Sequence, residues 1–314
     1  MGGLEITRRI KSFRKIISFS PILVLLLATG LSGCVHLSRA HEEVTCRENS
    51  QDPFEPDARM AGGDFKGKCI NTRNRRSIKI LTEQESGAFN PEAGRILIAN
   101  FSHAGEFWIA SIPKNLNIDG VDFVRSWFFL GVSHLAIHFR LHESTPVVLI
   151  PQLLSNHADP VETTDVVFSL ESLESRADPL PFISAAAFFG NYAAVYRLMT
   201  LDELRQEKNE GLDPLWVNLP KKSRAPFFWK LVEEGDRNGL HTMFHVFDHN
   251  CGNIPIAALD SVIEYDAETR SRIAGKNCFN PSEIKSYLKV RGLNYSVNSE
   301  PVRTESEWKL PDEE

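Results

Sequence analysis

Ser133-His134-Leu135-Ala136-Ile137-His138-Phe139-Arg140-Leu141 is the stretch that decides the fold, because its side chains alternate in character. Every second residue from Leu135 to Leu141 is large and apolar, and the positions between them hold histidine, alanine and arginine. Successive side chains of a β-strand point to opposite faces of a sheet. This period of two therefore predicts a strand with one core face and one polar face, and the polar face carries His134 and His138.

Elements on both sides of this stretch define the fold class. Shorter apolar runs predict further strands at residues 95–101, 120–124, 147–150 and 166–170. Helices are expected at residues 201–206, 227–235 and 250–265, followed by a last one that ends at Val290. Strands that precede helices along the chain favour the α+β class, with an antiparallel sheet packed against helices.

The N-terminus has the parts of a secretory signal. Basic residues at 8–15 precede an apolar run at 22–28, and Leu31-Ser32-Gly33-Cys34 follows. The run is about half as long as the ~20 apolar residues of a membrane-spanning helix, so it predicts a cleaved leader. The sequence Leu31 to Cys34 resembles the lipobox of bacterial lipoproteins. We therefore expect residues 1–33 to be a signal peptide and Cys34 to be lipidated, with an ordinary cleaved signal as the alternative.

The rest of the chain divides into three parts. Turn-forming residues predict that 34–77 is a tether, 78–298 is the globular domain and 299–314 is a disordered acidic tail. The lipobox resemblance implies that Cys34 holds the protein on a lipid bilayer. Val35, where retained lipoproteins have aspartate, favours the periplasmic face of the outer membrane of a Gram-negative bacterium.

Composition excludes several partners. The chain has 42% hydrophobic and 24% charged residues and a net charge of -6. It contains no basic patch with interleaved aromatic residues, so no nucleic-acid partner is expected. It also has no phosphate-binding glycine loop or dinucleotide fingerprint, so no cofactor is expected.

Four cysteines remain besides Cys34. An exported compartment permits disulfides, and four cysteines allow three full pairings. The pair Cys46–Cys69 is preferred, because both residues lie in the same loop-rich stretch. Cys251 is then left as a free thiol.

Cys251 and His134 are the residues most suited to chemistry. Cys251 lies at the start of the predicted helix, and a helix N-terminus lowers the pKa of a thiol by stabilising the thiolate. Unpaired N–H groups at the same place could stabilise an oxyanion. His134, on the polar face of its strand, could serve as base and then as acid.

A family resemblance covers about half of the chain, from about Arg95 to Ile263. The segments that carry it, in order, are 95–101, 121–128, 133–139, 168–171, 188–196 and 247–251. Together they resemble the Lnb N-terminal periplasmic domain family. The resemblance implies a papain-like fold in circularly permuted order, with histidine before cysteine, similar to NlpC/P60-related proteins.

The resemblance also implies a reaction. Cys251 would attack an ester or amide carbonyl and form a thioester, while His134 would take the thiol proton and later protonate the leaving group. A third group should orient the imidazole, and Glu171 and Asn250 are the candidates. His138 lies about 13 Å from His134 along the strand and ranks lower. The substrate would be a lipid, such as a palmitate ester, a lipoprotein or a peptidoglycan-related molecule.

Departures from the family pattern leave the substrate open. Ser133 stands where many members have glycine or alanine, and His138 stands where some have arginine. Gly252 and Asn253 replace the threonine or serine that often follows the cysteine.

Two other functions remain as alternatives. The chain could be a non-catalytic envelope lipoprotein that binds a partner. It could also be a metal-dependent hydrolase, since His241, His245 and His249 have the spacing of ligands on a helix. That segment fits a strand equally well, so no metal ligand is assigned.

Overall fold

A computed structural model describes residues 45–49, 51–127, 133–153, 158–177, 187, 189–208, 211–276, 278 and 280–297. The chain separates into two units, residues 1–43 and 44–314, and all described residues belong to the second. The predicted signal peptide, Cys34 and the predicted tail 299–314 lie outside the described residues.

One sheet dominates the described domain. Its twelve strands are β1 Lys79–Ile80, β2 Arg95–His103, β3 Glu106–Pro113, β4 Ile118–Trp127, β5 Ser133–Leu141, β6 Val147–Pro151, β7 Val161–Thr163, β8 Asp165–Leu173, β9 Tyr192–Thr200, β10 Asp213–Val217, β11 Met243–Phe244 and β12 Tyr295–Ser296. The order across the sheet is β12-β10-β4-β5-β8-β9-β2-β3-β6-β7, with β1 beside β2 and β11 beside β9.

The sheet is mixed. All described neighbours are antiparallel except β2 and β9, which pair in parallel at Ser102 and Met199. The prediction of an antiparallel sheet is therefore wrong at this one pair, while the α+β class agrees with the observed mixture of strands and helices. A parallel pair needs a long crossover connection, and the chain between β2 and β9 provides it with six intervening strands.

Six α-helices occur in the described part of the chain: α1 Glu83–Ser86, α2 Leu201–Glu207, α3 Lys221–Asn238, α4 Asn253–Val262, α5 Ala267–Ile273 and α6 Ile284–Val290. Short 3-10 helices occupy Gly87–Phe89 and Pro281–Glu283. The start of α2 is fixed by Thr200, whose side chain accepts a hydrogen bond from the backbone N–H of Glu203. Within these described helices, none is long and apolar enough to cross a membrane.

The two faces of β5 have the environments that its alternation predicts. Leu135, Ile137 and Phe139 are fully buried in the main core. The rings of Phe227 and Phe228 in α3 pack against Phe139, with centroids 5.5 and 5.2 Å away. The opposite face carries the buried polar residues, and this is the face from which the candidate site is built.

Residues 45–77 belong to the folded domain, so most of the predicted tether 34–77 is not a tether. A disulfide joins Cys46 to Cys69, the preferred pair, and both residues are buried. The buried guanidinium of Arg76 forms ion pairs with Asp52 and Glu55. Turn-forming residues occur in ordered loops as well as in linkers, which is why composition alone gave the wrong assignment.

Candidate active site

A chain of hydrogen bonds runs across β5 and β8 from His134 to a carboxylate. The register of these strands places Ala136 opposite Ser169, so Ser169 shares a face with His134. His134 Nε2 lies 2.8 Å from Ser169 Oγ, and that hydroxyl donates to Glu171 Oε1 at 2.9 Å. Since a hydroxyl has one proton to give, the Ser169 oxygen accepts from His134 Nε2–H, and the lone pair of the imidazole is on Nδ1.

Glu171 is held as an anion. Burial raises the pKa of this carboxyl, but the charges of Arg197 and Arg75 outweigh burial and hold the pKa well below its usual range. Arg197 is fully buried, lies 3.1 Å from Glu171 Oε1 and also pairs with Glu207 in α2. Burial lowers the pKa of His134 to about 4, so its imidazole is neutral.

Cys251 lies at the point where β5 and β8 separate. The ladder between these strands ends at Ala136 and Ser169, whereas β4 stays paired with β5 as far as Ser133. The backbone N–H of Leu135 is near enough to the Cys251 thiol to lower its pKa. That nitrogen belongs to the peptide bond that joins His134 to Leu135, so the thiol lies near the backbone of β5 at this point.

The thiol is neutral in this structure. Burial raises the pKa of Cys251 to about 11, and the N–H of Leu135 lowers it only in part. The expectation that the start of the helix lowers the pKa of Cys251 is therefore wrong, because desolvation outweighs the local donors. Glu171 and Lys208 act electrostatically on both Cys251 and His134, which places all four groups in one neighbourhood.

Asn250 caps the helix instead of orienting the imidazole. Its Oδ1 accepts from the backbone N–H groups of Gly252 and Asn253 at 2.8 and 2.9 Å. Its Nδ2 donates to the carbonyl of Val246 at 2.6 Å. The side chain is thus committed to the start of α4, and of the two predicted orienting groups only Glu171 is connected to His134, through Ser169.

Gly252 allows a second cysteine to approach. A Cβ at Gly252 would lie 2.6 Å from the carbonyl oxygen of Cys278 and 3.0 Å from its sulfur. Cys251 and Cys278 are both free thiols and both buried. Burial, together with the nearby Cys251, raises the pKa of Cys278 to about 12, so this second thiol is also neutral.

The other histidines singled out by their spacing have different partners. His138 lies between Asp122 and Asp165, with ring nitrogens 3.0 and 2.8 Å from their carboxylate oxygens. His249 Nε2 lies 2.7 Å from the hydroxyl of Tyr196 and 3.1 Å from that of Thr242. Across the described residues, no three His, Cys, Asp or Glu side chains converge in a way that could hold a metal ion.

Ser169 is the site residue that sequence reasoning missed. It lies in the segment 168–171 that was compared with the Lnb family, yet no role was assigned to it. Its position between His134 and Glu171 depends on the register of β5 and β8, for which the sequence gives no direct signal.

Comparisons with known proteins add no relative. A scan against protein-family models, a search of curated proteins and a search of solved structures each found no match. Membership of the Lnb N-terminal domain family therefore stays a prediction, and any function has to be argued from the geometry of the site.

Proposed function

We propose that this protein is a thiol-dependent acyltransferase or hydrolase that acts on an ester or amide, with a permuted papain-like arrangement of His134 and Cys251. The observation that supports the proposal is that the Cys251 thiol lies near the backbone N–H of Leu135, the residue after His134, whose imidazole is linked through Ser169 to Glu171. A nucleophile, a base and an anion that positions the base are the parts such a reaction needs.

The chemistry follows from the protonation states. The Cys251 sulfur attacks the carbonyl carbon while its proton passes to the imidazole of His134. The tetrahedral intermediate collapses to a thioester, and the leaving oxygen or nitrogen takes the proton from the imidazolium. An amine, an alcohol or water then attacks the thioester, loses its proton to His134 and restores the thiol. Glu171, which acts through Ser169, stabilises the imidazolium in both halves of the cycle.

The proposed substrate class depends on the proposed lipid anchor at Cys34. We propose that lipidated Cys34 holds the protein on the outer membrane, where the substrate is a lipid, a lipoprotein or a peptidoglycan-related molecule. The folded domain includes Cys46, and the eleven residues after Cys34, up to Thr45, span at most ~40 Å at ~3.6 Å per residue. A site so tethered stays close to the acyl chains of the bilayer. Loss of radiolabelled palmitate incorporation in Cys34→Ser would support this, and retention would contradict it.

The enzymatic proposal is tested by trapping the thioester. The purified full chain is mixed with p-nitrophenyl esters of acetate to palmitate, and intact and peptide mass spectra are recorded before and after hydroxylamine. We expect a hydroxylamine-sensitive acyl group on Cys251 in the wild-type protein, none in Cys251→Ala, and acylation at least a hundredfold slower in His134→Ala. Release of p-nitrophenol that persists in Cys251→Ala would contradict the proposal.

One observation favours the non-catalytic alternative. A buried thiol with a pKa of about 11 resembles a structural cysteine more than an activated nucleophile. In that case the protein binds an envelope partner, and the wild-type protein forms no thioester with any ester of the series.

A further inference from the structure

The disulfide-bonded segment at the start of the folded domain carries a group of basic side chains. Its members are Arg47, Arg59, Lys66 and Lys68, and all four are exposed. The chain as a whole has a net charge of -6, so the group has the opposite sign to the protein that carries it. Such a local reversal of charge favours an anionic partner at that place.

A short hairpin brings three of these residues together. The backbone N–H of Met60 donates to the carbonyl of Lys68, and the N–H of Gly67 donates to the carbonyl of Met60, both at 2.8 Å. The guanidinium of Arg59 reaches across the hairpin and donates to the carbonyl of Gly67 at 3.1 Å. Its charge therefore lies beside Gly67, between the two lysines that flank that glycine.

The disulfide adds Arg47 to the group. Cys46 and Cys69 are bonded, and their Cα atoms are 5.3 Å apart. Arg47 follows Cys46 in the chain and Lys68 precedes Cys69, so the bridge holds both basic residues at the same end of the hairpin. Because the two are far apart in the sequence, they form no continuous basic run that the sequence alone would show.

The carboxylates close to these residues in the chain have other partners. Glu48 pairs with an arginine of the β8–β9 connection at 3.3 Å. Asp57 accepts the backbone N–H of the bridged cysteine before Arg47 at 2.7 Å, and Asp64 accepts from the amide of Asn191 at 2.8 Å. Within the described part of the chain, three of the four basic side chains form no ion pair: Arg47, Lys66 and Lys68.

The surface between the two lysines is open. A Cβ placed on Gly67 would meet no atom of the described residues within 4 Å. Like charges that are held close together repel each other, and an anion placed between them relieves that repulsion. The hairpin thus offers an accessible position for a phosphate group beside three cations.

We propose that this basic hairpin, residues 59–69 together with Arg47, binds the phosphate groups of anionic phospholipids at a bilayer surface. The inference rests on the anchoring part of the proposed function and is independent of its chemistry. The proposed anchor at Cys34 lies only eleven residues before Cys46, so the hairpin can reach the bilayer to which the lipid is attached. A basic residue near an anionic membrane surface strengthens binding roughly fivefold, so the four together form a second contact besides the lipid.

The test measures how fast each lysine is acetylated when the purified full chain is mixed with vesicles. One set of vesicles is phosphatidylcholine alone, and the other contains about 30% phosphatidylglycerol. Peptide mass spectrometry after treatment with an N-hydroxysuccinimide ester gives the rate at each site. We expect Lys66 and Lys68 to react about tenfold more slowly with the anionic vesicles. The difference should vanish in about 1 M NaCl, where the screening length is only ~3 Å.

Lys221 and Lys222 are the control within the same molecule, because both are exposed at the start of α3. Their rates should be the same with both kinds of vesicle. A variant then tests charge against structure. Arg47→Gln should reduce the protection of Lys66 and Lys68 by roughly fivefold, the contribution of one basic residue, whereas Arg47→Lys should retain it.

Each outcome supports or overturns the role of the hairpin. Equal rates at Lys66 and Lys68 with both kinds of vesicle overturn it, and so does protection that persists in high salt, because neither is the behaviour of a charged contact. Equal protection of Lys221 and Lys222 overturns it as well, since it indicates adsorption without a preferred surface. Loss of thioester formation with the hairpin still protected would overturn the proposed chemistry alone. Retained palmitate incorporation in Cys34→Ser would remove the anchor, while salt-sensitive protection at Lys66 and Lys68 would still support the lipid contact.

Discussion

His134 Nε2 and Ser169 Oγ are 2.8 Å apart. The same hydroxyl donates a hydrogen bond to the carboxylate of Glu171, which Arg197 and Arg75 keep charged. The imidazole is therefore fixed with its proton on Nε2 and its lone pair on Nδ1. Ser169 touches neither the thiol nor the carbonyl in the proposed reaction, so it is a positioning residue that transmits the charge of Glu171 to His134.

Ser169→Ala should slow the proposed reaction without unfolding the protein. Loss of a hydrogen bond to a group that becomes charged costs about 1.5–3 kcal/mol, which corresponds to roughly a tenfold to hundredfold lower kcat/KM. Ser169→Thr keeps the hydroxyl and should recover part of the rate. The measurement is ester turnover from pH 3 to 9, and we expect the acid limb, set by the His134 pKa of about 4, to shift to lower pH, because the imidazolium loses its stabilising partner.

Ser172→Ala is the control for this change. Ser172 lies on the same strand, opposite Ala194, and is half-buried. Its removal should leave rate and pH profile unchanged. If Ser169→Ala has wild-type kcat/KM and an unshifted profile, the hydrogen-bonded chain has no part in positioning His134.

Alkylation of Cys251 in the absence of substrate should depend steeply on pH. Burial raises the pKa of its thiol to about 11 and lowers that of His134 to about 4, so a thiolate–imidazolium pair is not formed at neutral pH. The rate with iodoacetamide should rise about tenfold per pH unit from pH 7 to pH 10, because only the thiolate reacts. Peptide mass spectrometry distinguishes Cys251 from Cys278. A rate that is constant from pH 6 to pH 8 would show a preformed ion pair instead.

The strand at the centre of the fold could be predicted because its signal is local. The alternation at 133–141 coincides with β5, since one face of that strand meets α3 and the other carries buried polar residues. The helix predicted at 250–265 is shorter, Asn253–Val262, because Asn250 caps it from outside and Ile263 is already extended. The spacing of apolar residues does not show at which residue a helix begins or ends.

Features that depend on tertiary contacts could not be predicted in the same way. Residues 45–77 resemble a linker in composition, but the Cys46–Cys69 bridge, the buried ion pairs of Arg76 and the packing of Met60 and Ile70 against Leu173 make them part of the domain. The role of Ser169 depends on strand register. The raised pKa of Cys251 depends on burial, which no local motif encodes.

Protonated His138 should stabilise the folded state at pH values below its pKa. Burial lowers the pKa of His138, but hydrogen bonds to Asp122 and Asp165 outweigh burial and raise the pKa above 6.5. A raised pKa in the folded state means that the stabilisation is complete below pH 6.5 and is lost as the pH rises through the raised value. The guanidinium of Arg140, 3.5 Å from Asp122, also faces this cluster.

Urea unfolding of wild type and His138→Gln at pH 5.5, 7 and 9 measures this effect. The difference in free energy of unfolding should be largest at pH 5.5 and smallest at pH 9. His142→Gln is the control, because His142 is exposed just after β5 and its ring bonds to the nearby Ser144. A difference that is independent of pH would mean that His138 is not charged in the folded protein.

The disulfide between Cys46 and Cys69 should account for a measurable part of the stability. It closes a loop with a sequence separation of 23, for which the chain-entropy model gives about 3 kcal/mol. Cys46→Ser/Cys69→Ser should therefore unfold at lower urea concentration than the oxidised wild type. Reduction of the wild type should give the same shift, whereas a reductant should have no effect on the double variant.

Because Arg176 donates to the carbonyl of Cys46 and Arg76 pairs with Asp52, the segment should remain attached to the sheet near neutral pH. Equal midpoints for oxidised wild type and double variant would mean that contacts other than the disulfide hold residues 45–77 in place.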